Sequence, residues 1–242
     1  MIEHLKALER LRGVTNDGQT ADSSFAKTLR DVKTWQHLRL VRTYRDLAAD
    51  DRYAPAVSFF LDELYGAGDR VNASALRDRD LIRMYPTMKR VLPQFAFETV
   101  EKALALDVLA EEFDQAIANN IANTASGLIT EESYINAFRA AGRRADRLRQ
   151  VKLMQEVGTG LEAVVKKPFI YTTLKMLRTP SKLAGLSAMQ KFLEAGFTAF
   201  RHMNGADYFL TTIATREAAI IDRIFDGVAK PFEIVDKLTD NE

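Results

Sequence analysis

The sequence predicts an all-α protein, a multi-helix antiparallel bundle with additional short helices. Three observations carry that prediction. Apolar residues recur at three- and four-residue spacing through most of the 242 residues, the signature of amphipathic helices. No segment alternates apolar and polar residues at period two for long enough to make a strand. Gly and Pro fall between the periodic stretches and punctuate them.

The elements follow in order. Apolar residues at Ile2, Leu5, Leu8 and Leu11 predict a short amphipathic helix over residues 2–12. Residues 13–24, rich in Gly, Asn, Asp, Ser and Thr, read as a loop. Asp22, Ser23 and Ser24 offer N-caps for a long helix to about Ala49, because a short polar side chain satisfies the first free N–H groups of a helix. The apolar stripe of that helix is Phe25, Leu29, Val32, Trp35, Leu38, Val41, Tyr44 and Leu47 or Ala48. Pro55 then suits a first helical turn and Gly66 the residue just past a helix end. Between them lies the very apolar helical turn Phe59-Phe60-Leu61-Asp62-Glu63-Leu64-Tyr65-Gly66. A charged turn and a helix over about 75–85 come next, before Pro86 and Pro93.

A long helical segment runs from Gln94 to Ser126 and stops at Gly127. Thr130 with Glu131 and Glu132 starts a further helix through Gln155, since acids suit a helix N-terminus. Gly158 and Gly160 mark a break, a shorter helix covers 161–167, and another reaches Arg178. Two more helices, over about 183–203 and 206–227, meet near Asn204-Gly205. The expected organisation is one helical domain over 1–242, with two lobes that meet near 127–130.

Composition excludes some chemistry. There is no cysteine, so disulfides, thiol catalysis and thiolate metal sites are ruled out. A net charge of +1 gives no overall attraction to nucleic acid or membrane. No apolar run approaches the ~20 residues that span a bilayer, and residues 1–13 lack the apolar core of a signal peptide. The expectation is a bacterial, cytoplasmic protein. Three histidines without Glu-x-x-His pairs give no di-iron site, and no metal site is expected. Walker, dinucleotide and nucleophile-elbow motifs are missing as well.

Charge is unevenly laid out. Residues 98–132 hold eight acids against the single base Lys102, whereas residues 139–191 hold twelve bases against three acids. One reading makes Arg143, Arg144, Arg147, Lys166, Lys167, Lys175, Arg178 and Lys182 a surface for an anionic partner. In that reading Phe169, Ile170, Tyr171 and Leu174 supply an apolar edge. The other reading packs the basic helices against the acidic one, within the chain or across a self-association contact. No nucleic-acid-binding motif accompanies the basic stretch.

Residues 59–66 resemble the signature of a proteobacterial family of uncharacterised proteins named for a Phe-Phe-Leu-Glu-Glu-Leu-Tyr (FFLEELY) motif. Asp62 stands where that name has its first Glu. Trp35-Gln36, Arg39-Leu40, Thr43-Tyr44, Arg77-Asp78 through Tyr85-Pro86, and residues 190–200 are similar to the same family. The resemblance implies no activity. Asp62 and Glu63 could hold a cation, or pair with nearby arginines and face water. Tyr44, Asp62, Glu63, Tyr65, Arg77, Asp80 and Tyr85 could form a ligand-binding polar pocket, or a network that ties the bundle together. Residues 29–39, with His37 near Trp35, distantly resemble the helix that carries the haem-binding histidine of haem oxygenases. That resemblance implies haem at His37, although the glycine-rich distal helix has no counterpart beyond Gly185 and Gly196.

Two functions therefore stand as expectations. The first is a non-enzymatic binding or interaction protein using the basic surface of residues 139–182 for an anionic partner. The alternative is a small-molecule or haem-binding helical protein, or an enzyme of that kind, with a pocket near His37 and the 59–66 helix.

Overall fold

The computed structural model describes residues 1–16, 23–64, 80–85, 89–90, 92–123, 129–176 and 178–233. These residues form helices and connections, with no strand among them. The all-α bundle is what the structure shows.

The helices are α1 (Ile2–Asn16), α2 (Ser23–Thr43), α3 (Arg45–Ala49), α4 (Ala54–Phe59), α5 (Gln94–Ala122), α6 (Glu131–Ala141), α7 (Arg144–Val165), α8 (Pro168–Met176), α9 (Arg178–Leu183), α10 (Ser187–Met203) and α11 (Asp207–Phe225). A π-helical turn, Phe60–Leu64, continues α4, and residues 80–85 are also helical. The bundle is built on α5, which packs against α1, α2, α6 and α7. In turn α11 lies on α6 and α7, and α10 on α4 and α7.

Two apolar cores result. One joins Leu29 and Val32 of α2, Ile117 and Ile121 of α5, Tyr134 and Phe138 of α6, and Ile220 and Ile224 of α11. The other joins Leu40, Tyr44 and the 53–61 segment to Phe200, Met203, Phe209 and Ile213. Leu5, Leu8 and Leu104 make a third, smaller cluster. Trp35 stacks on Tyr134 with ring centroids 3.9 Å apart.

Several boundaries differ from the sequence expectation. The first helix continues to Asn16, into the stretch expected to be loop. The expected single helix to Ala49 is interrupted at Tyr44, where α3 begins. The helix expected to run from Thr130 through Gln155 is broken at Gly142 and Arg143, which adopt φ +67° and +61°. Only glycine takes that conformation without cost; for arginine it costs roughly 1 kcal/mol or more. The start at Thr130 is as expected, and a capping box closes it: Ser133 N–H donates to Thr130 Oγ1, and Thr130 N–H to Ser133 Oγ.

Gly158 and Gly160 do not break a helix. Both lie inside the continuous α7, and their missing side chains let neighbours close in. A Cβ on Gly160 would stand 2.2 Å from Thr99 Oγ1 of α5, and one on Gly158 2.2 Å from Leu210 Cδ2 of α11.

The stripe expected on α2 also slips. Leu38 and Val41 are exposed, while Leu40 and Thr43 are buried. The reason is that Gln36 and Arg39 turn inward, toward a polar cavity between the two main cores.

Candidate functional site

Where α2, α5, α6, α7 and α11 converge, they line a partly open cavity of about 80 Å³. Its walls are mixed. Leu40, Phe60, Leu106, Val151, Met154 and Ile221 are apolar, and Gln36, Arg39, Asp114, Tyr134, Arg147, Gln150 and Glu217 are polar. The volume is enough for several waters or a small organic molecule, since ~10–15 Å³ holds one water.

Each polar side chain arrives by helical spacing. Gln36 and Arg39 sit one turn apart on α2, Glu217 takes the i+4 place between Ile213 and Ile221 on α11, and Arg147 precedes Val151 and Met154 on α7. Arg39 Nη1 donates to Glu217 Oε1 at 2.5 Å, and the Tyr44 hydroxyl donates to the same oxygen at 2.6 Å. Burial alone would lower the Arg39 pKa, but Glu217 outweighs it and holds the guanidinium charged. Gln36 Nε2 donates to Asp114 Oδ1 at 2.8 Å, and Lys33 Nζ lies 3.9 Å from Asp114 Oδ2. Burial pushes the Asp114 carboxyl up to about 6 and the Tyr134 hydroxyl up to about 12.

Arg147 is the unusual member. It is 4% exposed, and burial pulls its guanidinium down to about 10. Phe138 lies 3.6 Å and Phe113 4.1 Å from its Cζ, so aromatic rings cover the group. Cation–π contact offsets part of the desolvation. Yet Nε and Nη2 have no hydrogen-bond acceptor, although a buried charged donor normally has one.

Asp114 gives the cavity a pH dependence. Its folded value of about 6 lies above the ordinary 3.8, so the native state holds the proton longer than the unfolded chain. Its contribution to stability is complete below pH ~4 and is lost as pH rises through ~6. Asp114→Asn keeps an oxygen for Gln36 and never ionises. In urea denaturation it is expected to match the parent near pH 4 and to exceed it at pH 8, by at most about 3 kcal/mol. An equal difference at both pH values would contradict this.

Beside the cavity runs a separate ion network. Glu111, 3% exposed, accepts from Arg12 Nε and Lys33 Nζ at 3.4 and 2.8 Å. Its pKa is lowered: burial opposes the charge, but Lys33 and Arg12 prevail. This network ties α1 and α2 to α5.

Not all of the positions singled out in the sequence converge here. Tyr44 touches the cavity's rim through Glu217, and Phe60 of the 59–66 motif lines it, meeting Tyr44 edge-on at 6.4 Å. Asp62 and Glu63 lie in the π turn, where Ser58 Oγ donates to Asp62 Oδ2 at 2.8 Å. Asp80 is buried, and Tyr85 packs on Phe97. Tyr65 and Arg77 lie outside the described residues. His37 is partly buried on α2, its Nδ1 lacks a partner, and it does not line the cavity. Among the described residues no group of three or more His, Asp or Glu is placed to hold a metal.

The basic stretch is dispersed. Arg143 pairs with Glu112 and Asp146, Arg144 with Asp222 and Asp226, Lys166 with Glu162, and Arg178 with Glu194. Lys175 lies over the Tyr171 ring at 4.3 Å, and Lys167 and Lys182 are exposed. Arg147, grouped with this surface by charge alone, is instead inside. Gln36, Arg39, Asp114, Gln150 and Glu217 were missed by sequence reasoning. Their signal was a polar residue occupying a slot in an otherwise apolar helical row.

No helix among the described residues is long and apolar enough to cross a membrane. No curated protein and no solved structure matches the chain. A family model described as domain of unknown function DUF8198 matches residues 16–231, which takes in every helix that walls the cavity. The chain belongs to that family.

Proposed function

We propose that the protein is a small-molecule-binding helical protein whose ligand occupies the cavity between α2, α5, α6, α7 and α11. The observation that carries this reading is Arg147, a buried guanidinium at the cavity wall with two N–H groups lacking acceptors. A fold gains nothing by burying an unpaired charge, which costs several kcal/mol. Such a group is retained where a ligand or ordered water completes it. The basic surface of residues 139–182 is the weaker reading. Arg143, Arg144, Lys166 and Arg178 spend their charge on neighbouring acids, which leaves Lys167, Lys175 and Lys182 for an anionic partner.

Ala110 lines the cavity from α5, so Ala110→Leu fills the space without touching a polar wall. Native mass spectrometry of the purified protein, followed by solvent extraction, is expected to yield a small molecule from the parent and none from Ala110→Leu. A ligand-free parent whose melting temperature is unmoved by a broad panel of small metabolites would sink the reading. Circular dichroism of Ala110→Leu separates a filled cavity from an unfolded chain.

A further inference from the structure

We propose that α8 is a membrane-surface element: it lies on an anionic lipid bilayer, with Phe169 and Met176 dipped into the headgroup layer and the lysines around it drawn to the lipid charges. The proposal uses no residue of the cavity and is independent of the cavity reading. The first argument is the layout of the helix. None of the nine residues of α8 is buried. The helix packs against α7, α9 and α10 through the row Ile170, Tyr171 and Leu174. Tyr171 stacks on Phe197 with ring centroids 5.0 Å apart, and Leu174 O accepts from Gln190 Nε2 at 2.6 Å.

The opposite row is Phe169, Thr172, Thr173 and Met176, all exposed. Phe169 is 57% and Met176 74% exposed. Their spacing of two helical turns puts them on the same side of the helix, roughly 10 Å apart along its axis. The outer face of a surface helix ordinarily carries charge, and this one carries none. Single exposed apolar residues are ordinary; two in register on an uncharged row are not.

Charge is placed around that row instead of on it. Residues 163–193 hold six bases and no acid. Glu162 and Glu194, just outside the stretch, meet Lys166 and Arg178. Lys167 and Lys182, exposed before and beyond the helix, form no ion pair among the described residues, and Lys175 lies over the Tyr171 ring. Apolar side chains flanked by cations are the pattern of a helix that lies in a membrane interface. An anionic bilayer offers charge and hydrocarbon together and needs no matching shape, so it receives side chains that project. A single-stranded nucleic acid would stack on Phe169 but offers Met176 no apolar slot. Neither charge nor apolar contact is enough alone; together they give reversible, salt-sensitive attachment.

The test is flotation of the full chain with vesicles of phosphatidylcholine alone, and of phosphatidylcholine with a third of the lipid replaced by phosphatidylserine, in low and in high salt. Binding to the anionic vesicles is expected to be at least roughly tenfold tighter than to the neutral ones, and to fall by roughly tenfold or more in high salt. Lys167→Glu with Lys182→Glu should weaken it by at least roughly tenfold, and so should Phe169→Ser with Met176→Ser. All four side chains are exposed, so the variants should fold, which circular dichroism checks. Equal binding to both vesicles, or binding to neither, would overturn the proposal. Full binding by the serine variant would also overturn it, since charge alone would then hold the protein. So would tighter binding to a fluorescent oligothymidylate than to the anionic vesicles at the same salt. A parent dimer that the serine variant turns into a monomer, read by native mass spectrometry, would give this face to a second copy of the chain and overturn the lipid.

Discussion

Glu217→Ala is expected to lower stability by about 3 kcal/mol, the lower end of the range for removing one partner of a buried ion pair, since the Arg39 and Glu217 side chains are 11% and 16% exposed. The loss has two parts. Arg39 keeps its charge inside the bundle with no carboxylate to meet it, and the Tyr44 hydroxyl, 1% exposed, loses the oxygen it donates to. For a chain of this size each kcal/mol moves the melting temperature by roughly 2–4 °C, so the transition should fall by roughly 10 °C. Glu217→Gln retains an acceptor for Tyr44 but not the charge, and should lie between the two. Thermal denaturation at pH 7 decides it: an Ala variant within about 1 kcal/mol of the parent would show that Glu217 is exchangeable with water.

Gly160→Val is expected to cost about 3 kcal/mol or more, by overpacking where α7 crosses α5. The new Cβ would meet Thr99 Oγ1 at 2.2 Å, its Cγ2 at 2.8 Å and its Cβ at 3.0 Å. Rotating Thr99 cannot clear all three atoms, and its hydroxyl is already spent on Phe95 O at 2.8 Å. The milder Gly160→Ala is a test of sign. In a helix without close neighbours alanine gains about 1 kcal/mol over glycine; here the clash should outweigh that gain and stability should fall. A rise in the urea midpoint would mean that α7 does not approach α5 so closely.

The helices were legible because their outer faces are polar and their inner faces apolar for most of their length. On α5, Leu104, Phe113, Ile117 and Ile121 keep the expected row and are buried. That legibility failed where the interior is polar. Arg39, Asp114, Arg147 and Glu217 carry charge, and charge read from sequence assigns a residue to the surface. On α2 the same error placed Leu38 and Val41 inside, when Gln36 and Arg39 take the inward face. Glu217 between Ile213, Ile220 and Ile221 could have been noticed, because a carboxylate in an isoleucine row must be paired or solvated. What could not be read is pairing at a distance: Arg39 and Glu217 are 178 positions apart, and no local spacing links them. The glycines of α7 misled for a related reason. A glycine that ends a helix and one that admits a neighbour look alike until the neighbour is known.

The π turn at Phe60–Leu64 makes chain length itself a variable at this point. A π turn is in effect an α-helix holding one inserted residue. Because the wider turn absorbs that extra residue, deleting one residue from 60–64 would return the segment to an ordinary helical repeat while leaving the two ends of the turn in nearly the same phase. Ala56 and Val57, upstream, would keep their places in the core, and only side chains within the turn, the acids at 62 and 63 among them, would be re-aimed. A single-residue deletion among related chains should therefore be tolerated here as helix, changing only which side chain of the turn takes the place of Phe60 beside the cavity.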